Sequence, residues 1–361
     1  MKKLIIIIAA IALVGTCVVP VVPAMADVSL YGSARMWTYW VDKEESDTRT
    51  YDDGDLLWKL GPFSRFGANF KSDKITGKFE LDARDTGKSA SSVGDMRLRL
   101  LWGEYDFGSY KLMVGQNWPL TDWNVSMIQV TGGGIQPYGG MGAAIARKPQ
   151  IRLTFGDMKL AFLTPKNNTD YGQTDTDTIL PQIEARYTFK LDNSLIDILG
   201  AYQYMKYVDA VDNGESVSSY VLGARGKFNF GPLYLNLTAK YQVNGGNYGM
   251  SDAVDTSAIL EAGEFKDNKA WGFAGVLGYK VNDSFTIEGT YGYIKSEEDV
   301  EGDWDDDAQA YAITAKYTVA PGVYLIPEIV VLDGMDQTND GEVENQGKVT
   351  NFGMVWRIDF K

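Results

Sequence analysis

Basic residues recur at alternate positions within otherwise apolar stretches of this chain. Arg35 falls in "LYGSARMW", Arg65 in "SRFGANF", and Lys78 in "ITGKFELDAR", which Arg84 closes. Arg97 and Arg99 fall in "MRLRLLW", Arg152 in "IRLTF" and Arg186 in "IEARYTF". A guanidinium stays charged and presents a planar fork of donors that fits carboxylate and phosphate oxygens. Grouped on one surface, such residues attract and orient anions without making or breaking a bond. Bond-breaking chemistry is short of parts. The chain has no histidine, which removes His-based zinc sites, Ser–His pairs and imidazole acid–base work. No Gly-rich loop follows a strand and opens a helix, so neither a cofactor nor a catalytic metal is expected. A formal net charge of -14 argues against nucleic acid as a partner.

The elements that position these residues are strands. In "LYLNLTAKYQV", residues 233–243, Leu233, Leu235, Leu237, Ala239, Tyr241 and Val243 share one face and the polar residues take the other. About sixteen such stretches are read along the chain, from Val28–Trp40 and Leu57–Lys71 to Val323–Leu332 and Val349–Phe360. Beyond the N-terminal leader no run of about 20 apolar residues offers a transmembrane helix. No amphipathic helix offers a second layer for the apolar faces. The connections alternate: tight turns such as "FGS", "LDN" and "APG" are separated by long acidic loops such as "VDKEESDTRTYDDGD" and "SEEDVEGDWDDD". Short turns at one end and long loops at the other suit an antiparallel transmembrane β-barrel, all-β, with the apolar face toward lipid and the polar face toward a wet lumen. Aromatics near strand ends, among them Trp40, Phe230, Trp271, Tyr279, Tyr317, Trp356 and Phe360, suit interfacial girdles.

The N-terminus reads as a secretory signal peptide, residues 1–26: Lys2 and Lys3, an apolar run from Leu4 to Val19, and Ala24-x-Ala26 before Asp27. Residues 27–361 then form the barrel domain. Cys17, the one cysteine, leaves with the leader; a lipoprotein signal using Cys17 fits less well because Thr16 precedes it.

Three stretches resemble the general trimeric porins of Gram-negative bacteria. "VSLYGSARM" resembles their first strand and "SRFGANF" their second, where an arginine at the place of Arg65 lines the pore. "NFGMVWRIDF" is similar to their C-terminal insertion signal, although Lys361 follows the usual last Phe. The segment "GQNWPLTDWNVSMIQVTGGGIQPYGGMGAAIA", residues 115–146, stands where such porins have a third loop folded into the lumen, and Asp122 is its sole acid. "GQNW" also looks like the matching stretch of porins that carry dicarboxylates. The resemblance implies a non-enzymatic homotrimer in the outer membrane that passes small hydrophilic solutes. It also implies contact with outer-membrane lipid and lipopolysaccharide, and recognition of the C-terminal strand by the barrel-assembly machinery.

Alternation places Arg35, Arg65, Lys78, Arg84, Arg97, Arg99, Arg152 and Arg186 toward the lumen, and with Asp122 of the loop they are the candidate constriction. Arg225, Lys227 and Lys240 fall on the same side. Inward acids are fewer: Glu80, Asp82, Glu184, Glu288 and Glu328, several of which can pair with basic neighbours across strands. The fourth strand is ambiguous, since "RLRLLWGEYDF" cannot hold Arg97, Arg99 and Glu104 all inside without a bulge or an early end. The expectation is an anion-favouring diffusion channel. A channel selective for a carboxylate or phosphate, and a plugged structural or adhesive barrel, are the alternatives. The acidic loops would make the outer mouth negative, and none has the spacing of a Ca²⁺-binding EF-hand.

Overall fold

A computed structural model describes residues 27–361 apart from 45, 47–53, 62, 84–95, 131–133, 143–146, 167–174, 209–214 and 303. The signal-peptide segment and Arg84 therefore lie outside the described residues.

Sixteen antiparallel strands close into one barrel. They are β1 (Asp27–Lys43), β2 (Asp55–Leu60 continued by Arg65–Lys71), β3 (Ile75–Ala83), β4 (Met96–Asp106), β5 (Lys111–Asn117) and β6 (Lys148–Phe155). Next come β7 (Met158–Leu163), β8 (Asp175–Asp177 continued by Gln182–Leu191), β9 (Ser194–Val208), β10 (Ser216–Phe230) and β11 (Leu233–Val243). The ring is completed by β12 (Asn268–Asn282), β13 (Phe285–Glu298), β14 (Asp305–Ala320), β15 (Val323–Asp333) and β16 (Lys348–Phe360). Closure comes from β1 against β16, with Gly32 opposite Phe360 and Lys43 opposite Val349. A closed ring leaves no unpaired edge, which a lipid-embedded sheet requires.

Burial is inverted relative to a water-soluble domain. Along β11, Leu233, Leu237, Ala239 and Tyr241 are exposed while Thr238, Lys240 and Gln242 are buried. The exposed apolar side chains belong to the lipid belt, and the lumen is where polar groups are enclosed. Exposed aromatics lie toward both rims: Phe70, Phe107, Phe155, Phe230, Tyr279, Tyr317 and Phe360 at the short-turn rim, and Trp40, Trp58, Tyr220, Trp271 and Phe352 nearer the other.

Two strands are interrupted, the first of them within the stretch that the sequence reads as one strand, Leu57–Lys71. β2 breaks at 61–64, and Gly61 fits there because a Cβ would lie 2.8 Å from Trp37 Nε1. β8 breaks at 178–181, which includes Pro181, a residue with no N–H to give a ladder. The ambiguity in β4 is resolved by a bulge. Glu80 faces Leu100 while Leu81 faces Leu98, so Arg99 is the extra residue. A bulge shifts the side-chain phase by one. Arg97 faces the lumen before it, Arg99 within it, and Glu104 after it.

The long connections all start and end at strand ends of one rim, opposite the short turns. Two of them carry small hairpins, Ile259–Glu261 with Glu264–Lys266 and Asp336–Asn339 with Glu342–Asn345. Helix among the described residues is a single turn, Gly245–Tyr248.

Candidate pore constriction

The extra residue of the bulge is the centre of the basic cluster. Arg99 donates from Nε to Glu80 at 2.6 Å and from Nη1 to Asp82 at 2.9 Å. Arg97 donates to both Asp82 oxygens, at 2.7 and 2.9 Å, and Arg65 lies 3.5 Å from Glu80. Arg35 stands close enough to repel Arg65 and Arg99, and Arg147 close enough to interact with Arg97, Arg99 and both acids. Five guanidinium groups thus surround two carboxylates. Aromatic rings separate the like charges: Arg35 and Arg99 lie 5.6 and 5.8 Å from the Phe63 ring, and Arg99 and Arg147 lie 5.7 and 4.5 Å from the Trp118 ring. Each such contact adds a weak attraction that offsets part of the repulsion.

The "GQNW" stretch builds this arrangement. Gly115 has φ 122, and a Cβ there would lie 2.2 Å from the Leu101 carbonyl oxygen, so the close pairing with β4 admits glycine alone. Gln116 donates from Nε2 to the carbonyls of Leu98 and Arg99 at 2.9 and 3.0 Å, satisfying groups that the bulge takes out of the ladder. The Asn117 side chain accepts the Trp118 N–H at 2.8 Å, turning the chain into the third long connection, residues 118–147.

That connection runs along the inner wall. Wall carboxylates accept its backbone N–H groups at three places. Glu184 of β8 accepts from Leu120 N–H and the Thr121 hydroxyl, and Glu288 of β13 accepts from Met127 N–H at 2.6 Å. Glu328 of β15 accepts from Gln129 and Val130 N–H at 2.8 and 3.2 Å. A tyrosine hydroxyl completes each anchor: Tyr248 on Glu184, Tyr234 on Glu288 and Tyr39 on Glu328, at 2.7, 2.6 and 2.9 Å. The expectation that several inward acids pair with basic neighbours holds for two of the five. Glu80 and Asp82 do; Glu184, Glu288 and Glu328 hold the loop, because five loop N–H and hydroxyl donors would otherwise be buried unpaired.

Apolar packing seats the loop on the same wall. Ile128 and Ile135 bury against Ala274, Ala310, Ala312 and Val330, and Leu120, Trp123 and Met141 against Ala161, Leu199, Ala201 and Val221. Gly139, with φ 86, lies so close to β12 that a Cβ would sit 2.5 Å from the Phe273 carbonyl oxygen. Small wall residues make this approach possible. The loop therefore covers β7 through β15 and leaves the arginine-bearing wall of β1 to β4 opposite it, touching that wall where Arg35 donates to Gln129 at 2.7 Å.

The remaining candidates divide. Arg152 donates to the Trp118 carbonyl and to Gln150, supporting the start of the loop. Arg186 belongs to a second basic group with Lys159, Arg225 and Lys227 around Asp197, where Arg225 donates to Asp197 from Nε at 2.9 Å. Lys78 stands apart from the arginine cluster, 4.9 Å from the Tyr31 ring. Asp122 accepts from Gln136 Nε2 at 2.9 Å within the loop. Burial pushes its carboxyl up to about 6, against lowering by Gln136 and Arg147. Sequence reading missed Asp197, Arg147, Phe63, Trp118 and Arg357, the last a positive neighbour of Arg35. Asp197 and Arg357 follow plain alternation and were within reach of it; Phe63 sits in the β2 break and Arg147 at a loop end, where alternation says nothing.

A closed barrel with an apolar exterior, a polar interior and an inner loop facing a basic wall is the architecture of an outer-membrane channel. The chain belongs to the Gram-negative porin family, whose model matches residues 9–333. Its fold is similar to the outer membrane channel DcaP of Acinetobacter baumannii, at 19% identity and TM-score 0.73, covering 94% of this chain and 99% of that one. OmpT of Vibrio cholerae is also similar, at 16% identity and TM-score 0.63, covering 94% and 99%. An anion-selective porin from Comamonas acidovorans is similar at 14% identity and TM-score 0.59, covering 93% and 100%. No curated protein matches the chain by sequence.

Proposed function

We propose that the protein is a diffusion channel for small hydrophilic solutes, with a constriction that favours anions. The observation that carries this reading is the charge balance at Arg99: Arg35, Arg65, Arg97, Arg99 and Arg147 against Glu80 and Asp82, an excess of three positive charges among these seven residues. Low-dielectric walls focus the field of grouped charges on what passes between them. Arg65 and Arg97 keep 29% and 31% of their side chains exposed, so part of that charge faces the lumen. One structural neighbour is described as anion-selective, but the reading rests on this chain's own arginines.

Removal of residues 1–26 as a signal peptide, assembly as a homotrimer, contact with lipopolysaccharide and recognition of β16 by the assembly machinery belong to the same reading. The test is single-channel recording of the detergent-purified protein in a planar bilayer under a salt gradient. An anion-favouring reversal potential, weakened in Arg65→Ser and Arg97→Ser, supports it. A cation-favouring potential would assign control to the acidic outer loops, and absence of conductance would favour the plugged barrel.

A further inference from the structure

In the sixth long connection, residues 244–267, the first part, 244–258, folds inward. Val243 through Asn247, Tyr248 and Met250 are buried, and Tyr248 and Met250 pack with Leu120, Trp123 and Met141 of the third loop. From the end of β11 the chain turns at Asn244, with φ 52, and runs back across the lumen faces of β9 and β8. Gln203 and Gln182 of those strands donate to the carbonyls of Asn247 and Tyr248 at 3.0 and 2.6 Å, and Asn247 donates to the Tyr207 hydroxyl at 3.0 Å. The chain then returns. Asp252 pairs with Lys240 of β11 with both side chains wholly enclosed, and Gln242 donates to the same carboxylate at 2.5 Å. Ala253 N–H donates to the Pro137 carbonyl at 2.9 Å, and Val254 buries against Ile294 and Ala308.

The segment therefore spans the inner wall from β8 to β14 on the loop side of the third connection. One carboxylate joins the two storeys: Glu184 accepts the Tyr248 hydroxyl and, from the third loop, Leu120 N–H and the Thr121 hydroxyl. A buried ion pair is expensive to form and expensive to break singly, so Lys240–Asp252 fixes the segment inside, not outside.

We infer that residues 244–258 form a second constriction that sets the width of the path above the arginine cluster, and that Tyr248 is a positioning residue that keys this segment to the third loop through Glu184. The inference rests on the channel reading. Ser251 and Asp255 are the exposed residues of the segment, and the sole cysteine of the sequence is Cys17 in the expected leader, so a single introduced thiol reports cleanly.

The experiment records single channels of Ser251→Cys and Asp255→Cys before and after an anionic methanethiosulfonate reagent. A stepwise fall in conductance of about twofold is expected for a bulky charge in a narrow path; unchanged conductance in a conducting variant overturns the inference. A second variant replaces residues 245–257 with a short Gly-Ser link. It should admit larger polyethylene glycols while keeping the sign of the reversal potential, and an unchanged size limit again counts against the inference. Tyr248→Phe should add flicker to the open current at near-normal amplitude; a quiet current removes the positioning role. Failure of the unmodified protein to conduct would instead remove the channel reading.

Discussion

Arg99 Nε lies 2.6 Å from Glu80 Oε1, with 1% and 3% of the two side chains exposed. The pair sits at the bulge that lets β4 change phase, so charge placement and strand geometry depend on one residue. Breaking such a pair from one side leaves an uncompensated buried charge, which costs about 3–5 kcal/mol. Arg99→Met and Glu80→Gln should each lower stability by that order in urea unfolding of the detergent-folded barrel. Because both residues share the pair, the double variant should lose less than the sum of the two.

Gln116 satisfies two carbonyls on the outer side of the same bulge. In Gln116→Leu these acceptors face a membrane with no replacement donor, at about 1–3 kcal/mol for a buried unpaired group. The loss should appear as a lower unfolding midpoint with an unchanged reversal potential, because no lumen charge moves.

Glu328 holds Gln129 and Val130 N–H and the Tyr39 hydroxyl. Glu328→Leu strands all three donors, whereas Glu328→Gln keeps an acceptor in place. Single-channel records should show frequent partial closures for the first and a nearly normal trace for the second. Equal noise in both would mean that packing of Ile128 and Ile135, not the carboxylate, seats the loop.

Asp122 has its carboxyl pushed up from 3.8 to about 6, chiefly by burial. The sign follows directly. The folded loop retains the proton that an unfolded chain would release, so this contribution to loop stability is complete below pH 3.8 and is lost as pH rises through about 6. Above that range the loop carries a negative charge near Arg147 and Arg225, and anion preference should weaken between pH 5 and 7 (a window about one pH unit either side of the raised value). Asp122→Asn should flatten the profile.

Gly139 approaches β12 with φ 86, and a Cβ would also fall 1.9 Å from the Tyr293 carbonyl oxygen. Gly139→Ala must lift the returning limb of the third loop from the wall. A change in conductance with preserved barrel folding, read by heat-modifiable gel mobility, is the expected result.

Much of the barrel was legible because its determinants are local. A period of two, tight turns alternating with long acidic loops, and the lack of any helical layer determine a closed membrane sheet from the chain alone. The lumen side of Arg35, Arg65, Arg97 and Arg186 follows from the same parity. The small residues facing the loop on β12 to β14, Ala270, Gly272 and Ala274 with Ala308, Ala310 and Ala312, follow the same parity, but their role as a seat for the loop came only with the structure.

Pairings between distant segments were decided by tertiary structure. Composition does not say whether Glu328 meets an arginine or the N–H groups of residues 129 and 130, because that depends on where a loop nearly two hundred residues earlier in sequence comes to rest. The bulge at Arg99 was an open alternative in the sequence and was selected by the register with β3 and by Gln116 across the strand. The inward fold of residues 244–258 carries no local sign at all. It depends on the buried Lys240–Asp252 pair and on Glu184, whose three donors come from two different loops. Period and turn chemistry act over a few residues and can be read in order. Desolvated charge must find its partner in space, and that was decided when the ring closed.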